Sequence, residues 1–305
     1  MTTSNGPHPD HDRGLEFDLS TLLSRRNTLG VLFSGAATAA LAACTPAGTG
    51  SGTATDSAGG ATASGTASSS TATSSTTAAA SPSASASSTV TRAFAECGVE
   101  IPQETAGPYP GDGSNGPNVL EASGVVRQDI TSSFGTSSTK VDGVPLTVTL
   151  TLLDNANGCV PLSGAAVYAW HCDRDGKYSL YDSGLENENY LRGVQEADAN
   201  GQLSFTTIFP GAYNGRWPHI HFEVFESLSN ATSAGRLLAV SQIALTDAAC
   251  RDVYATAGYE TSAANFPNTT LKSDNVFGDD GGVYQLATMT GSASAGYTAA
   301  LNVTI

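Results

Sequence analysis

A stretch of 40 residues with almost no large side chains, residues 51–90, limits what this 305-residue chain can fold into. Of these residues, 37 are Ser, Thr, Ala or Gly, and the exceptions are Asp56, Pro82 and Val90. Such a segment buries too little apolar surface to offset the conformational entropy that is lost on ordering. We therefore predict that residues 45–90 form a disordered tether and that the folded domain occupies residues 91–305.

The first 44 residues have the features of an export signal. A polar leader precedes Arg25 and Arg26, and an apolar run then ends in Leu-Ala-Ala-Cys at Cys44. The paired arginines resemble the start of a Tat signal, and the last four residues resemble a bacterial lipobox, whose cysteine is lipidated after cleavage. We predict a signal peptide over residues 1–44 and an exported protein, either a lipoprotein on the outer face of the cell membrane or secreted. Export by the Sec pathway remains open, because Thr28 stands where Tat signals commonly have a large apolar residue.

The charge balance restricts the kind of partner. The chain has 13 Lys and Arg against 28 Asp and Glu, for a formal net charge of −15 at pH 7. An acidic surface repels phosphate and lowers the local concentration of polyanions, so nucleic acid is excluded as a partner. No residue pattern indicates an oligomeric state.

Apolar and polar residues alternate along the predicted folded part, in short runs that are typical of β-strands. The segment LTVTLTL at residues 146–152 places leucine and valine on one face and threonine on the other, as in a half-buried strand. Similar runs occupy residues 165–170, 203–209, 219–225, 237–245, 283–289 and 297–305, and Asn-Gly and Asp-Gly turn signals separate several of them. One short helix is expected near residues 247–257. The pattern predicts an all-β fold, an antiparallel β-sandwich with long loops.

Four cysteines remain after the lipobox cysteine is set aside. An even number in an exported chain predicts two disulfides, and we favour Cys97 with Cys159 and Cys172 with Cys250. Four reduced, buried thiols are the alternative.

Two histidines lie two residues apart in a predicted strand. Side chains alternate across a strand, so His219 and His221 project to the same face while Ile220 and Phe222 project to the other. Two imidazoles at this spacing can bind one metal ion, as zinc, copper and iron sites of many folds do. The same pattern is also compatible with two polar residues on a solvated face.

The sequence around these histidines resembles a known family of enzymes. PGAYNGRWPHIHFEV at residues 210–224 includes Tyr213 and Arg216, and VYAWHCDRDGKYSLY at residues 167–181 places Tyr178 after a turn. Together with ETAGPYP at residues 104–110 and LLAVSQIAL at residues 237–245, these segments resemble the motifs of the intradiol ring-cleavage dioxygenases. This family comprises the catechol and protocatechuate dioxygenases.

The resemblance implies a ligand set for non-haem Fe(III), made of Tyr178, Tyr213, His219 and His221. Phenolate is a hard anionic donor that favours the ferric state, whereas zinc is usually bound by His, Cys or carboxylate. The implied reaction is cleavage of a small aromatic diol by O₂ between its two hydroxylated carbons, to a muconate-type diacid.

The resemblance also implies roles for residues around the metal. Arg216 would stabilise negative charge on the bound diol, and Tyr213 would leave the metal and accept a proton. Gln242 and Tyr109 are candidate substrate contacts, although a structural role suits each of them equally well. His171 is expected to be a structural imidazole. An exported enzyme would have access to catechols in the environment, including lignin-derived ones. Its role would then be in aromatic compound catabolism.

A function of a different class is also compatible with the sequence. A non-catalytic, lipid-tethered β-sandwich could use the same surface to bind a metal ion or aromatic ligands outside the cell. The enzyme interpretation is favoured because the four ligand positions and Arg216 occur together, whereas a binding module would be free to lose one of them.

Overall fold

Residues 98–233 and 235–305, which the computed structural model describes, form nine β-strands with three short α-helices. The predicted signal peptide with Cys44, the predicted tether and Cys97 lie outside the described residues. None of the helices in the described ranges is long and apolar enough to span a membrane.

The secondary-structure elements follow one another in a mostly β order. The strands are β1 Pro145–Asp154, β2 Val160–Pro161, β3 Ala166–Trp170, β4 Arg192–Glu196, β5 Gln202–Ile208, β6 His219–Phe225, β7 Leu237–Ala244, β8 Thr288–Ser292 and β9 Gly296–Thr304. The helices are α1 Leu228–Ala231, α2 Asp247–Tyr254 and α3 Glu260–Asn265, which continues into a 3₁₀ turn at Phe266–Asn268. The predicted helix near residues 247–257 is therefore confirmed as α2.

The strands form two sheets. One sheet has the order β2-β1-β9-β8, with β5 also paired to β1, and the other has the order β4-β3-β6-β7. All pairs are antiparallel except β1 with β9, which run parallel in register from Leu146 opposite Tyr297 to Leu153 opposite Thr304. The predicted antiparallel sandwich is confirmed, with this one parallel pair as an addition, because β9 returns to the free edge of β1 after a long excursion through the helices.

The core lies between the two sheets. Alternate side chains of β1, from Leu146 to Leu152, join Ile220 and Phe222 of β6 in one buried apolar cluster. The opposite face of the four-stranded sheet is buried as well, since Tyr168 and Trp170 of β3 belong to a second cluster under the loops. The fold is therefore an all-β sandwich, as predicted, and its four-stranded sheet has both faces covered.

Two parts of the strand prediction were wrong. Residues 283–287 do not belong to a strand, because the backbone N–H groups of Gln285 and Leu286 donate to the carbonyl of Gly282 and form a turn. Only Thr288–Ser292 pairs with β9. The strand Arg192–Glu196 was missed, because a charged residue and a glycine open it and its apolar alternation is short.

The predicted disulfide between Cys172 and Cys250 is absent, since both residues are free, buried thiols. Cys172 lies against the carbonyl of Gly211, with Sγ 3.5 Å from the oxygen, and Cys250 faces the core from α2. Burial raises the pKa of both thiols well above the ordinary value, which disfavours the reactive thiolate. Cys159 is disulfide-bonded, and its partner is neither of these two cysteines.

Candidate metal centre

Strand β6 places the two histidines of the His-Ile-His segment on the loop-covered face of the four-stranded sheet. Ile220 and Phe222 point the other way, into the core between the sheets. The side chains of His219 and His221 are only 2% and 3% exposed. The predicted common face is thus confirmed, and the alternative of a solvated polar face is wrong.

Four potential ligand atoms form a continuous chain at this face. The Nε2 atoms of His219 and His221 are 3.0 Å apart, and the Tyr213 hydroxyl is 3.2 Å from Nε2 of His219. The Tyr178 hydroxyl is 3.5 Å from that of Tyr213. The fold therefore brings together the four residues that the sequence suggested as ligands.

These separations fit a single metal ion. Metal–ligand bonds of about 2.0–2.1 Å, meeting at roughly 90–120°, place neighbouring ligand atoms about 2.9–3.6 Å apart. All three measured distances fall within this interval. Two imidazoles and two phenols are a donor set suited to ferric iron, because phenolate is a hard, anionic oxygen donor.

The protonation of the imidazoles favours metal binding. Nδ1 of His219 donates to the carbonyl of Trp217 over 2.5 Å, so Nε2 carries the lone pair that faces the site. Burial, together with the nearby Arg216 guanidinium, lowers the pKa of His219 to about 3. Burial and the neighbouring His219 likewise lower the pKa of His221 well below its ordinary value. Both rings are therefore neutral at neutral pH and able to act as ligands.

A tight turn after β3 positions Tyr178. The backbone N–H of Tyr178 donates to the Asp182 carboxylate over 2.6 Å, and the phenol ring packs against that of Tyr109 with centroids 4.9 Å apart. Tyr178 is 1% exposed, and burial raises the pKa of its phenol well above the ordinary value. A cation would therefore be needed to hold this side chain as phenolate.

Two glycines permit close approaches of backbone to the site. Gly176 has φ +82°, and a Cβ there would lie 3.1 Å from Cβ of Tyr213. Gly107 has φ +70°, and a Cβ there would lie 3.2 Å from Cε1 of His221. Both positions combine a left-handed backbone with little free space, so glycine is favoured at each.

The segment of residues 104–110, which we call the roof segment, covers the site through Gly107 and Tyr109. The Tyr109 ring lies between Tyr178 and Tyr181, with centroids 4.9 and 5.2 Å away, and is 6% exposed. The structure therefore places Tyr109 beside one candidate ligand, as a wall of the site.

Arg216 lies buried beside the histidines and is held on two sides. Its Nε donates to Oδ2 of Asp274 at 3.0 Å, and its Nη2 donates to Oε1 of Gln242 at 2.6 Å. Gln242 is fully buried, and its Nε2 donates to the carbonyl of Thr105 in the roof segment. Both ends of the Gln242 amide are thus engaged within the protein, so its observed role is to fix Arg216 and the roof segment.

Arg192, which sequence reasoning missed, connects the roof segment to the Tyr178 turn. It is 1% exposed, and its five N–H groups donate to the carbonyls of Tyr109, Pro110 and Ser179, the Ser179 hydroxyl and the Tyr168 hydroxyl. No carboxylate in the described part of the chain forms an ion pair with it. Nothing in its local sequence signalled this role, since every acceptor lies at least 13 residues away along the chain.

Aromatic stacking supports one ligand from behind. The rings of Trp170 and His221 lie opposite each other on paired strands, with centroids 4.9 Å apart and an angle of 5° between their planes.

His171, which follows Trp170 in the sequence, is separate from the site. Its Nδ1 donates to the Cys172 carbonyl, and its Nε2 accepts from the Thr207 hydroxyl, so it is a structural imidazole as expected.

Comparison with known proteins agrees with this arrangement. A family model described as a dioxygenase matches residues 115–234. The solved structure of an intradiol ring-cleavage dioxygenase from Tetranychus urticae is similar, with 25% identity, a TM-score of 0.54, and coverage of 68% of this chain and 94% of that one. The dioxygenase Tetur07g02040 is also similar, with 25% identity, a TM-score of 0.55, and coverage of 69% and 95%.

The chain is similar to the intradiol ring-cleavage dioxygenases. These relatives are dioxygenases, which are oxidoreductases. Members of the family are generally non-haem iron(III) enzymes. The two tyrosines and two histidines that meet at the covered face of β6 are the residues of this chain that fit such an ion.

Proposed function

We propose that this chain binds non-haem Fe(III) through Tyr178, Tyr213, His219 and His221 and uses O₂ to cleave a small aromatic diol to a muconate-type diacid. The observation that carries the proposal is the chain of four ligand atoms at 3.0, 3.2 and 3.5 Å in a buried site. When bound, ferric iron would hold the diol oxygens and make the electron-rich ring reactive toward O₂.

The protein supplies orientation and charge. The neutral histidines keep their lone pairs toward the metal position, because burial opposes their protonation. Tyr213 is half-buried and its hydroxyl lies between Tyr178 and His219, so it is the tyrosine suited to accept a proton from the diol. The buried Arg216 guanidinium would stabilise negative charge on the diol oxygens.

The roof segment excludes water from the reacting ring. Gly107 approaches His221 closely, and the Tyr109 ring covers Tyr178. A dry site strengthens the electrostatic interactions of Arg216 with an anionic diol and protects reactive species from hydrolysis.

A turnover assay tests the proposed function. The full-length protein, loaded with Fe(III), is mixed with catechol in air-saturated buffer, and O₂ uptake and diacid formation are measured together. We expect one O₂ consumed for each diacid formed, with both atoms of ¹⁸O₂ in the product. A protein that binds iron and catechol but forms no diacid would instead support the non-catalytic binding module.

Tyr213→Phe is the matched variant for this assay, because it removes one hydroxyl and keeps the ring. We expect turnover to fall by about 100-fold or more, the scale of a lost general base or acid. Tyr190→Phe is the control, because Tyr190 packs in a separate cluster with Leu191 and Ile208. Unchanged turnover in Tyr213→Phe would contradict the ligand assignment.

We further propose that the enzyme is exported and attached to the outer face of the cell membrane through a lipid on Cys44. The Leu-Ala-Ala-Cys segment that ends at Cys44 supports this proposal. Cys44→Ser should release the protein from the membrane fraction and abolish incorporation of radiolabelled palmitate. An unchanged distribution of the Cys44→Ser variant would contradict lipid attachment at this residue.

A further inference from the structure

Asp274 is a buried carboxylate outside the four sequence motifs and outside the residues matched by the family model. Its Oδ1 accepts the backbone N–H groups of Val276 and Phe277 at 2.8 and 3.0 Å. Its Oδ2 accepts Nε of Arg216 at 3.0 Å and the backbone N–H of Trp217 at 2.6 Å. Both oxygens are therefore used, and the side chain is 0% exposed.

A single oxygen of Asp274 connects two parts of the site. On one side it holds the Arg216 guanidinium, whose other edge is held by Gln242. On the other side it accepts the backbone N–H of Trp217, and the carbonyl of the same residue accepts Nδ1–H of His219. The orientation of the cation and the orientation of one imidazole therefore depend on the same carboxylate.

The geometry also assigns a charge role to Asp274. Arg216 is a buried cation close to two imidazoles, and Asp274 is the carboxylate that pairs with it. Nε points at the carboxylate, which leaves the plane of the guanidinium fixed by two different partners, Asp274 and Gln242. Because the guanidinium is planar and its N–H groups point in fixed directions, these two partners together fix the orientation of the Arg216 side chain.

We propose that Asp274 is a positioning residue, which aims Arg216 at the diol and fixes the ring of His219 through Trp217. This inference rests on the proposed function, because it gives Asp274 a part in the same reaction. Asp274 does not touch the substrate or the metal position. It acts through the two residues that do.

The test is Asp274→Asn in the full-length protein loaded with Fe(III). The substitution keeps the shape of the side chain, but its NH₂ group cannot accept the hydrogen bonds that one carboxylate oxygen accepts now. We expect kcat per bound iron to fall about 10–100-fold with KM within about threefold of wild type, because the lost interaction acts on charge that develops in the transition state. The visible absorption band of the anaerobic diol complex should shift relative to wild type.

A merely structural role gives a different result. Asp274→Asn would then lower the melting temperature or the iron content, while kcat per bound iron stays within twofold of wild type and the spectrum of the diol complex is unchanged. That result would overturn the proposal. Asp129→Asn is the matched control, because Asp129 accepts two hydrogen bonds from Thr131 and has Lys140 and Arg127 as its charged neighbours, and we expect it to leave kcat unchanged.

Two further variants keep the test decisive. In an Arg216→Gln background, Asp274→Asn should lower kcat by clearly less than it does in the wild-type background, because only the route through Trp217 to His219 is left to lose. A full additional effect would overturn the proposal. If Asp274→Asn does not fold, Asp274→Glu, which keeps the carboxylate but lengthens the side chain, should bind iron and still show the shifted band of the diol complex.

The failure of the proposed function is distinguishable from the failure of this inference. If the wild-type protein forms no diacid, the proposed function fails. If wild type turns over and Asp274→Asn matches it in kcat and in spectrum, only the role of Asp274 fails.

Discussion

Replacing Arg192 by methionine is a test of whether one buried guanidinium holds the site together. The change removes five hydrogen bonds and takes the donor from the buried carbonyls of Tyr109 and Ser179. The carbonyl of Pro110 keeps a donor, because the Tyr168 hydroxyl also points at it from 2.7 Å. A buried acceptor left without a donor costs about 1–3 kcal/mol.

Two such carbonyls therefore give a loss of about 2–6 kcal/mol. Methionine also removes a buried charge that is costly to desolvate, which offsets part of this loss. We expect the free energy of unfolding to fall by roughly 3–4 kcal/mol, which corresponds to a melting temperature lower by about 10 °C for a domain of this size. Weaker iron binding should accompany it, because the Tyr178 turn and the roof segment lose their connection.

Urea denaturation followed by tryptophan fluorescence measures the free energy, and iron content after dialysis measures the metal. Arg236→Met is the control, because Arg236 is 70% exposed and lies 3.8 Å from Glu226, so its loss should leave both quantities unchanged. A fall in stability of less than about 1 kcal/mol for Arg192→Met would refute the reasoning.

Three further predictions concern other parts of the molecule. Gly107→Ala should destabilise the protein by about 1–2 kcal/mol and weaken iron binding. Gly184→Ala is the control, because Gly184 has φ +84° but no neighbour within 4 Å of its Cβ position, so this change should lower stability alone. Equal iron affinity in the two variants would contradict the prediction. Burial raises the pKa of Glu104 from 4.5 to about 7, so its contribution to stability is full below pH 4.5 and is lost as the pH rises through 7. Relative to Glu104→Gln, wild type should lose on the order of 2–3 kcal/mol between pH 4.5 and 7.5 in denaturation experiments, and parallel pH profiles would contradict it. Cys172 and Cys250 should be alkylated without a reductant only after unfolding, as mass spectrometry of peptides would detect, whereas modification in the native protein would contradict their burial.

The alternation of apolar residues was enough to predict most of the sheet. The period of two in residues 146–152 and 219–225 follows directly from the burial of one strand face, and both runs form strands. The parallel pairing of β1 with β9 could not be predicted, because alternation carries no information about strand direction. The strand Arg192–Glu196 was not predicted for a different reason, because the buried charge at its start is stabilised only by partners that are distant in the sequence.

The candidate ligands could be suggested from the sequence because they lie in compact motifs. The common face of His219 and His221 needs only strand geometry. The contacts that fix the site are long-range, and Asp274 shows why they were missed. It reaches Arg216 across 58 positions in the chain, and no local pattern around residue 274 predicts this contact.

The cysteines show the limit of composition arguments. An even number of cysteines in an exported chain favours disulfides. Cys172 and Cys250 are nevertheless free, because a thiol can also serve as a small apolar side chain in a close-packed core.

The most direct test of the account is the visible absorption spectrum of the full-length protein, measured with its iron content before and after anaerobic addition of catechol. We predict stoichiometric iron and a tyrosinate-to-Fe(III) charge-transfer band that shifts when catechol is added, and we predict that Tyr178→Phe and Tyr213→Phe each weaken or move this band. A protein that stays colourless after reconstitution with Fe(III), or a band that neither substitution changes, would contradict a ferric site built from these two tyrosines.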